Sequence, residues 1–162
     1  MTSAPQDPPR TRAEIIELLS SAPERLRATS AGVPAGVLRR RADDGGWSLI
    51  ELVCHLRDYA EIFNSRLMRA VSEDNPRVAS YDNEDLARSR EYISQDLDQV
   101  LSAFGRIRSN MLAALARLTE DDWRRTVQHA AWGEPSIEWL MNRCAQHELE
   151  HLRDIERLAG GS

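Results

Sequence analysis

Apolar residues recur three and four positions apart in four long segments of this chain, at about residues 11–30, 48–72, 82–118 and 136–159. That spacing places them along one face of an α-helix, whereas a half-buried β-strand would alternate apolar and polar residues. We find no convincing strand, no internal repeat and no low-complexity stretch. Each apolar face must be covered by another element, so the pattern predicts an all-α protein that folds as a four-helix bundle.

Local signals mark where these helices begin and end. Capping boxes at Thr11–Glu14 and Ser48–Glu51 predict the starts of the first two helices, because a hydroxyl and a carboxylate there satisfy free backbone amides. Asn75–Pro76 is expected to end the second helix, and Gly160–Gly161 the fourth. Pro23 lies inside the first helix and predicts a kink or a division there.

The chain is expected to form one domain. Its 162 residues suffice for a single continuous core. Three prolines prevent a helix in residues 1–10, so we expect a disordered N-terminal tail there, and we expect a single bundle domain over residues 11–160. Residues 32–46 and 119–135 are expected to be long connections.

The charged residues exclude several classes of function. A net charge of -5 argues against a nucleic-acid partner or an anionic membrane surface, since either needs a basic face. All 21 basic residues are arginine, because the chain contains no lysine. A Schiff base, a pyridoxal-phosphate anchor and a phosphate-loop lysine are therefore excluded.

The sequence contains neither a signal peptide nor a stretch of the roughly 20 apolar residues that a membrane span needs, so we expect a cytoplasmic protein. Thiols stay reduced in that compartment. Cys54 and Cys144 lie among apolar residues, and we interpret them as small core side chains rather than ligands or nucleophiles.

Two histidines share the apolar face of the fourth helix. His147 and His151 are four residues apart, which places them about 40° apart around the helix axis and about 6 Å along it. Two buried imidazoles without polar partners would cost free energy, and a shared metal ion would satisfy both. A pair at this spacing is more often hydrogen-bonded or half exposed than a ligand set, so that alternative stays open.

His55 strengthens the metal hypothesis. It lies at the edge of the apolar face of the second helix, where a purely structural role is the competing interpretation. If the second and fourth helices run antiparallel, the three rings come within about one turn of the same level. The pattern therefore indicates one divalent metal ion bound by His55, His147 and His151.

This antiparallel arrangement has a consequence for topology. In a bundle of four helices it makes the second and third helices parallel, so a crossover must join them. Residues 72–81 could just span the bundle if they were fully extended. Simple alternation of helix directions stays an open alternative.

Two stretches of the chain are similar to signature segments of the DinB-like superfamily. They are Gly46–Asp58, with the sequence GWSLIELVCHLRD, and His147–Ile155, with the sequence HELEHLRDI. Three shorter matches agree with them, namely Tyr81–Asp82, Glu120–Trp123 and His129 before Gly133. The resemblance extends over about residues 11–158.

The resemblance implies an up-down-down-up bundle with a crossover between helices two and three, and a zinc, nickel or related ion on three histidines. The matching positions are His55, His147 and His151. Characterised relatives in this stress-protein superfamily use low-molecular-weight thiols, and they include mycothiol-dependent maleylpyruvate isomerase and bacillithiol transferases. The resemblance thus implies a metal-dependent thiol S-transferase or isomerase acting on small electrophilic substrates.

Several side chains near the predicted ligands are candidates for supporting roles. His129 could line a pocket or transfer a proton, with a loop histidine bonded to backbone as the alternative. Arg66 could bind an anionic substrate, with a surface salt bridge as the alternative. Acids within a turn of a ligand could orient it, although helical acids usually face solvent; they are Glu51, Asp58, Glu148 and Glu150.

Three functions remain in competition at this level. The leading hypothesis is an enzyme that acts on a small-molecule substrate with a thiol cosubstrate. The strongest rival is a non-catalytic metal-binding bundle in stress response or metal buffering, and the third is a structural module whose histidines bind nothing. A homodimer formed through helix faces is compatible with all three.

Overall fold

The computed structural model describes residues 3–160, and this part of the chain is mostly helical. The helices are α1 Arg12–Ser30, α2 Ala35–Leu38, α3 Leu49–Ser72, α4 Asn83–Ser89, α5 Leu97–Leu115, α6 Glu120–Trp123 and α7 Ile137–Ala159. A 3₁₀ turn covers Tyr92–Ser94, and two short strands are β1 Arg77–Val78 and β2 Gln128–His129. None of the helices within residues 3–160 is long and apolar enough to cross a bilayer.

The four long helices α1, α3, α5 and α7 form the body of the molecule. Helix α3 packs against α5 and α7, and α1 packs against the same two helices. The predicted all-α class is thus confirmed, and the four long helices are packed side by side as a bundle requires.

The starts of the long helices are where the capping signals predict them. The hydroxyl of Thr11 accepts from the amide of Glu14 before α1, and Ser48 accepts from the amide of Glu51 before α3. In both capping boxes the glutamate carboxylate accepts a hydrogen bond from the backbone amide of the capping residue. Pro23 lies inside α1, which nevertheless continues to Ser30.

The third predicted helix, expected to be unbroken over residues 82–118, is divided, and that prediction is wrong. Helix α4 ends at Ser89, and Glu91 adopts a left-handed conformation with φ 49° that a helix cannot contain. Helix α5 then starts anew, because the carboxylate of Asp96 accepts from the amide of Gln99. The apolar spacing stays in helical phase across the break, so periodicity alone does not reveal it.

The connections contain more regular structure than the sequence predicts. Short helices lie in both, α2 after the first long helix and α6 before the last. No strand is predicted, whereas β1 and β2 pair in parallel with Arg77 opposite Gln128 and Val78 opposite His129. Strands of two residues are too short to show an alternating pattern, which is why the sequence gives no sign of them.

The amino-terminal segment lies along α7. Residues 3–10 contain no helix, as their prolines predict. Asp7 forms an ion pair of 2.7 Å with Arg143, and the carbonyl of Pro8 accepts from the side chain of Asn142. The sequence indicates no such contact. Residues 1 and 2 of the predicted tail, and Gly161 at the predicted end of the last helix, lie outside the described residues.

Two clusters of buried apolar side chains form the core. One joins the carboxyl-terminal halves of α1 and α7 to the amino-terminal halves of α3 and α5. The other joins the opposite half of each helix. Cys54 belongs to the first cluster and Cys144 to the second, and both are free thiols with no exposed surface. Their interpretation as core side chains is confirmed.

A buried ion pair crosses the middle of the bundle. Arg108 of α5 donates to both carboxylate oxygens of Glu148 on α7, and it also donates to the carbonyl of Leu19 on α1. Arg108 is 1% exposed and Glu148 2%. Two buried charges are tolerated because each is the partner of the other, and removing one leaves the second uncompensated.

We expect Glu148→Gln to lower the free energy of unfolding by about 3–5 kcal/mol, because it leaves the guanidinium of Arg108 buried without a counter-charge. The matched control is Glu156→Gln on the same helix, which removes a partly exposed pair with Arg25 and should cost less than about 1 kcal/mol. Urea unfolding of metal-free protein measures both. Equal losses of unfolding free energy in the two variants would contradict the buried ion pair of Arg108 and Glu148.

Candidate metal centre

The three histidines predicted as metal ligands meet between α3 and α7. His55 lies in the second turn of α3, and His147 and His151 lie one turn apart on α7. One nitrogen from each ring can be chosen so that all three lie within 4.8 Å of one another. The Nε2 atoms of His55 and His147 are 3.0 Å apart. The structure thus brings together the whole predicted set.

Aromatic side chains hold the imidazoles in place. The ring of Tyr59 stacks on that of His147, with 3.7 Å between centroids and 12° between planes. Trp47 contacts the ring of His55 edge-on at 5.0 Å, and Tyr59 approaches the same imidazole from one turn further along α3. These contacts restrict the rotation of two of the three rings, so the cluster is ordered before any ion binds.

Burial keeps the imidazoles neutral. His55 is 3% exposed and His147 8%, and this desolvation lowers the pKa of His55 to about 4 and that of His147 to about 2. Burial also lowers the pKa of His151, which is less deeply buried. The nearby imidazoles add to the shifts of His55 and His147, since like charges disfavour each other. All three rings therefore present lone pairs at neutral pH.

The donor set fits a divalent metal ion. The Nδ1 atoms of His147 and His151 are buried and have no hydrogen-bond partner, so the cluster is not satisfied by its protein surroundings alone. Zinc binds imidazole nitrogen at about 2.0–2.1 Å in tetrahedral geometry, so its ligand atoms lie about 3.4 Å apart. The nitrogens of the cluster lie within 4.8 Å of one another, so side-chain rotations that shorten the longest separation by about 1–1.5 Å would bring all three to this spacing.

The four acids that were candidates for orienting the ligands are bonded elsewhere, and none of them forms a hydrogen bond with a ligand ring. Glu51 accepts from Arg41, and Asp58 accepts from the hydroxyl of Tyr92. Glu148 accepts from Arg108, and Glu150 accepts from the side-chain amide of Gln146. Asp58 also pairs with Arg57 and Arg90. These carboxylates stabilise the helices around the cluster rather than its imidazoles.

Asp154 is the acid nearest to a ligand ring, and the sequence reasoning missed it. Its Oδ2 lies 3.4 Å from Nδ1 of His151, without the alignment of a hydrogen bond. The spacing of His151 and Asp154 could have indicated this contact, because residues three apart on a helix are neighbours. A small rotation of either side chain would let Asp154 accept from His151 and fix its tautomer, as carboxylates commonly do behind metal-bound histidines.

His129 lies outside the cluster. Its Nδ1 accepts from the backbone amides of Ala131 and Trp132, so the alternative of a loop histidine bonded to backbone is confirmed. Its Nε2 lies 3.3 Å from the hydroxyl of Ser80, and its ring stacks on Trp132 at 4.1 Å. It also lines a cavity that reaches Tyr59, as the pocket hypothesis expects.

Arg66 is buried and has no acidic partner among residues 3–160. The alternative of a surface salt bridge is therefore wrong. The guanidinium lies over the rings of Phe63 and Trp132, at 5.1 and 5.3 Å from their centroids. The hypothesis of an anion-binding residue remains.

The sequence is similar to that of a known family and of curated proteins. Residues 5–155 match the family model described as the DinB superfamily. A protein of Oceanobacillus iheyensis, named as a candidate metal-dependent hydrolase, is 27% identical over 145 residues, which cover 90% of this chain and 84% of that protein.

Two solved structures share the fold. YfiT from Bacillus subtilis, described as a candidate metal-dependent hydrolase with an unusual four-helix-bundle topology, superposes with a TM-score of 0.87 at 20% identity, covering 96% of this chain and 90% of YfiT. A mycothiol-dependent maleylpyruvate isomerase superposes with a TM-score of 0.72 at 14% identity, covering 90% of this chain and 61% of the isomerase. The bundle is thus a known fold.

We expect metal-free protein to lose stability as the pH falls from about 6.5 towards 4. The unfolded chain takes up protons on histidine near pH 6.5, whereas burial keeps the folded His55 neutral down to about pH 4. The unfolded state therefore binds more protons in this window, and acid favours it. Urea midpoints of chelator-treated protein across the window measure the effect.

The variant His147→Gln provides the comparison for this experiment. It removes one buried group whose pKa is lowered, so its urea midpoint should fall less steeply between pH 6.5 and 4. The same slope in both proteins would show that the imidazoles are not the source.

Proposed function

Because the chain belongs to the DinB superfamily, we propose that it is a metal-dependent enzyme whose single divalent ion is bound by His55, His147 and His151. The observation that carries the proposal is the meeting of three neutral imidazoles from two helices, two of them buried, with ligand nitrogens within 4.8 Å. Zinc and nickel are the ions proposed, because imidazole is a favoured ligand of both.

The proposal includes an up-down-down-up order of the four long helices with a crossover between α3 and α5. Ion pairs support it, since Arg12–Glu138 joins the starts of α1 and α7 and Arg25–Glu156 lies near their ends. The two core clusters support it as well, because each groups one half of α1 and α7 with the other half of α3 and α5.

Three protein ligands are characteristic of catalytic rather than structural sites. His55, His147 and His151 would hold such an ion, which would supply the Lewis acidity that lowers the pKa of water to about 7 or favours a thiol as its thiolate. The protein's own contribution is to hold the imidazoles neutral and oriented. Trp47 and Tyr59 pack against the rings of His55 and His147, while the ring of His151 is partly exposed.

Two reactions are compatible with this centre. Transfer of a low-molecular-weight thiol to a small electrophile is the leading proposal, and the shared fold of a mycothiol-dependent isomerase supports it. Hydrolysis is the second, and it is supported by the names of the relatives, which describe metal-dependent hydrolases. A non-catalytic metal-binding protein in stress response is the rival. We further propose a small-molecule substrate and a cytoplasmic location.

The metal content of untagged protein tests the ligand set. We expect about one equivalent of divalent metal per chain in the wild type, and a loss of nearly all of it in His151→Ala, because a site with two remaining ligands binds far more weakly. Elemental analysis by mass spectrometry gives the number. The control His129→Ala removes a histidine outside the cluster and should keep the metal. Equal metal in all three proteins would refute the ligand assignment.

Turnover assays distinguish the two reactions. Under the leading proposal, loss of free thiol is expected when an epoxide, a haloalkane or an activated alkene is incubated with the metal-loaded protein and mycothiol, bacillithiol, glutathione or coenzyme A. Hydrolysis of nitrophenyl esters without any thiol would favour the second reaction instead. His151→Ala should lower either rate to the background. Inactivity of fully loaded protein in every assay would favour the non-catalytic rival.

A further inference from the structure

The guanidinium of Arg66 is a buried charge that the protein leaves without a counter-ion. Arg66 is 5% exposed, and its one hydrogen bond within the described residues runs from Nη2 to the carbonyl of Ala79 at 2.7 Å. Its Nε atom is buried and has no partner. Desolvation lowers the pKa of Arg66, which shows that its surroundings disfavour the charge. Such a cost is normally offset by an anion.

A cavity of about 260 Å³ lies beside this guanidinium. Its walls are the apolar side chains of Ile62, Phe63 and Trp132, and its polar groups come from Ser80, Asn83 and His129. Tyr81 also lines it and is 52% exposed, so this side of the cavity is open to solvent. A small molecule with an apolar body and one polar end fits these surroundings.

One aromatic ring lies between the cavity and the histidine cluster. Tyr59 lines the cavity, and the same ring stacks on His147 at 3.7 Å and on Phe63 at 4.3 Å. Arg66 is two turns beyond Tyr59 on α3. A molecule held at Arg66 by one end would therefore extend along Phe63 towards Tyr59 and the cluster.

We propose that the Arg66 cavity binds the carboxylate of a small organic acid whose apolar part extends towards the metal centre, an inference that rests on the proposed function for the direction of binding. The planar fork of a guanidinium matches a carboxylate, to which it can donate two parallel hydrogen bonds. Nε is buried and has no partner, so a small rotation of the side chain would turn an unused donor towards the carboxylate.

The charge of the cavity favours a carboxylate over a phosphate. Arg66 is the one cation among the lining residues, because burial and the nearby guanidinium lower the pKa of His129 and keep that imidazole neutral. A single positive charge balances a carboxylate, whereas a phosphate dianion would remain half compensated in a mostly apolar cavity.

The test uses benzoate, phenylacetate and hexanoate, each paired with its neutral amide, on chelator-treated full-length protein. We expect at least one acid to bind at least about tenfold more tightly than its amide, because only the acid can form charge-assisted hydrogen bonds. Chemical shifts of the indole protons report binding at Trp132, and calorimetry gives the affinity. Binding by metal-free protein makes the result independent of the proposed metal site.

Variants of two arginines on α3 complete the design. Arg66→Gln should weaken binding of the acid about tenfold or more and leave the amide unchanged. Arg66→Lys keeps the charge without the fork and should give an intermediate loss, so it tests the assignment even if the glutamine variant is unstable. Arg69→Gln is the matched control, because Arg69 lies one turn away in an exposed pair with Glu73.

Three outcomes would overturn the inference. They are equal binding of acids and amides, unchanged binding of the acid in both Arg66 variants, and tighter binding of inorganic phosphate than of any acid. Failure of the metal assays would leave this result untouched, since the carboxylate experiment contains no metal. Conversely, any of these three outcomes would contradict the carboxylate site alone and would leave the metal assays untouched.

Discussion

The meeting of three imidazoles between α3 and α7, two of them buried, is the constraint on which the rest of the structure depends. Desolvation keeps the rings neutral, and two of their nitrogens face each other across 3.0 Å. Their surroundings must then be rigid, because a neutral imidazole held at the wrong angle would lose its partners. Tyr59 stacked on His147 and the paired Arg108 and Glu148 beside it provide this rigidity without adding a net charge.

Two buried arginines show how differently one bundle can treat the same side chain. Arg108 is almost completely buried and donates to a carboxylate and a carbonyl, so it links α5 to α7 and α1 across the bundle. Arg66 has one carbonyl and two aromatic faces, and it lines a cavity. The charge of Arg108 is balanced within the protein by Glu148. The charge of Arg66 is balanced only when a molecule from solution supplies an anion, and in this respect a binding site differs from a structural ion pair.

The long helices and the histidine set could be predicted because they depend on spacing along the chain. Thr11 and Ser48 cap helices through residues three positions away, and His147 and His151 share a helix face. The break at Glu91 between α4 and α5 could not be predicted, because the apolar residues keep their helical spacing across it. The missing partner of Arg66 could not be predicted, since it depends on which side chains other elements bring near, and only coordinates reveal that no acid arrives.

The edge-on contact of Trp47 with His55 has a practical consequence. Indole emission is sensitive to protonated imidazole and to open-shell ions at close range, and this indole lies 5.0 Å from a ring of the cluster. The protein thus contains its own fluorophore for the state of that ring. Replacing the other tryptophans by phenylalanine would isolate the fluorescence of Trp47. Nickel would then quench this emission, whereas zinc would leave its intensity unchanged, so fluorescence would distinguish the two ions.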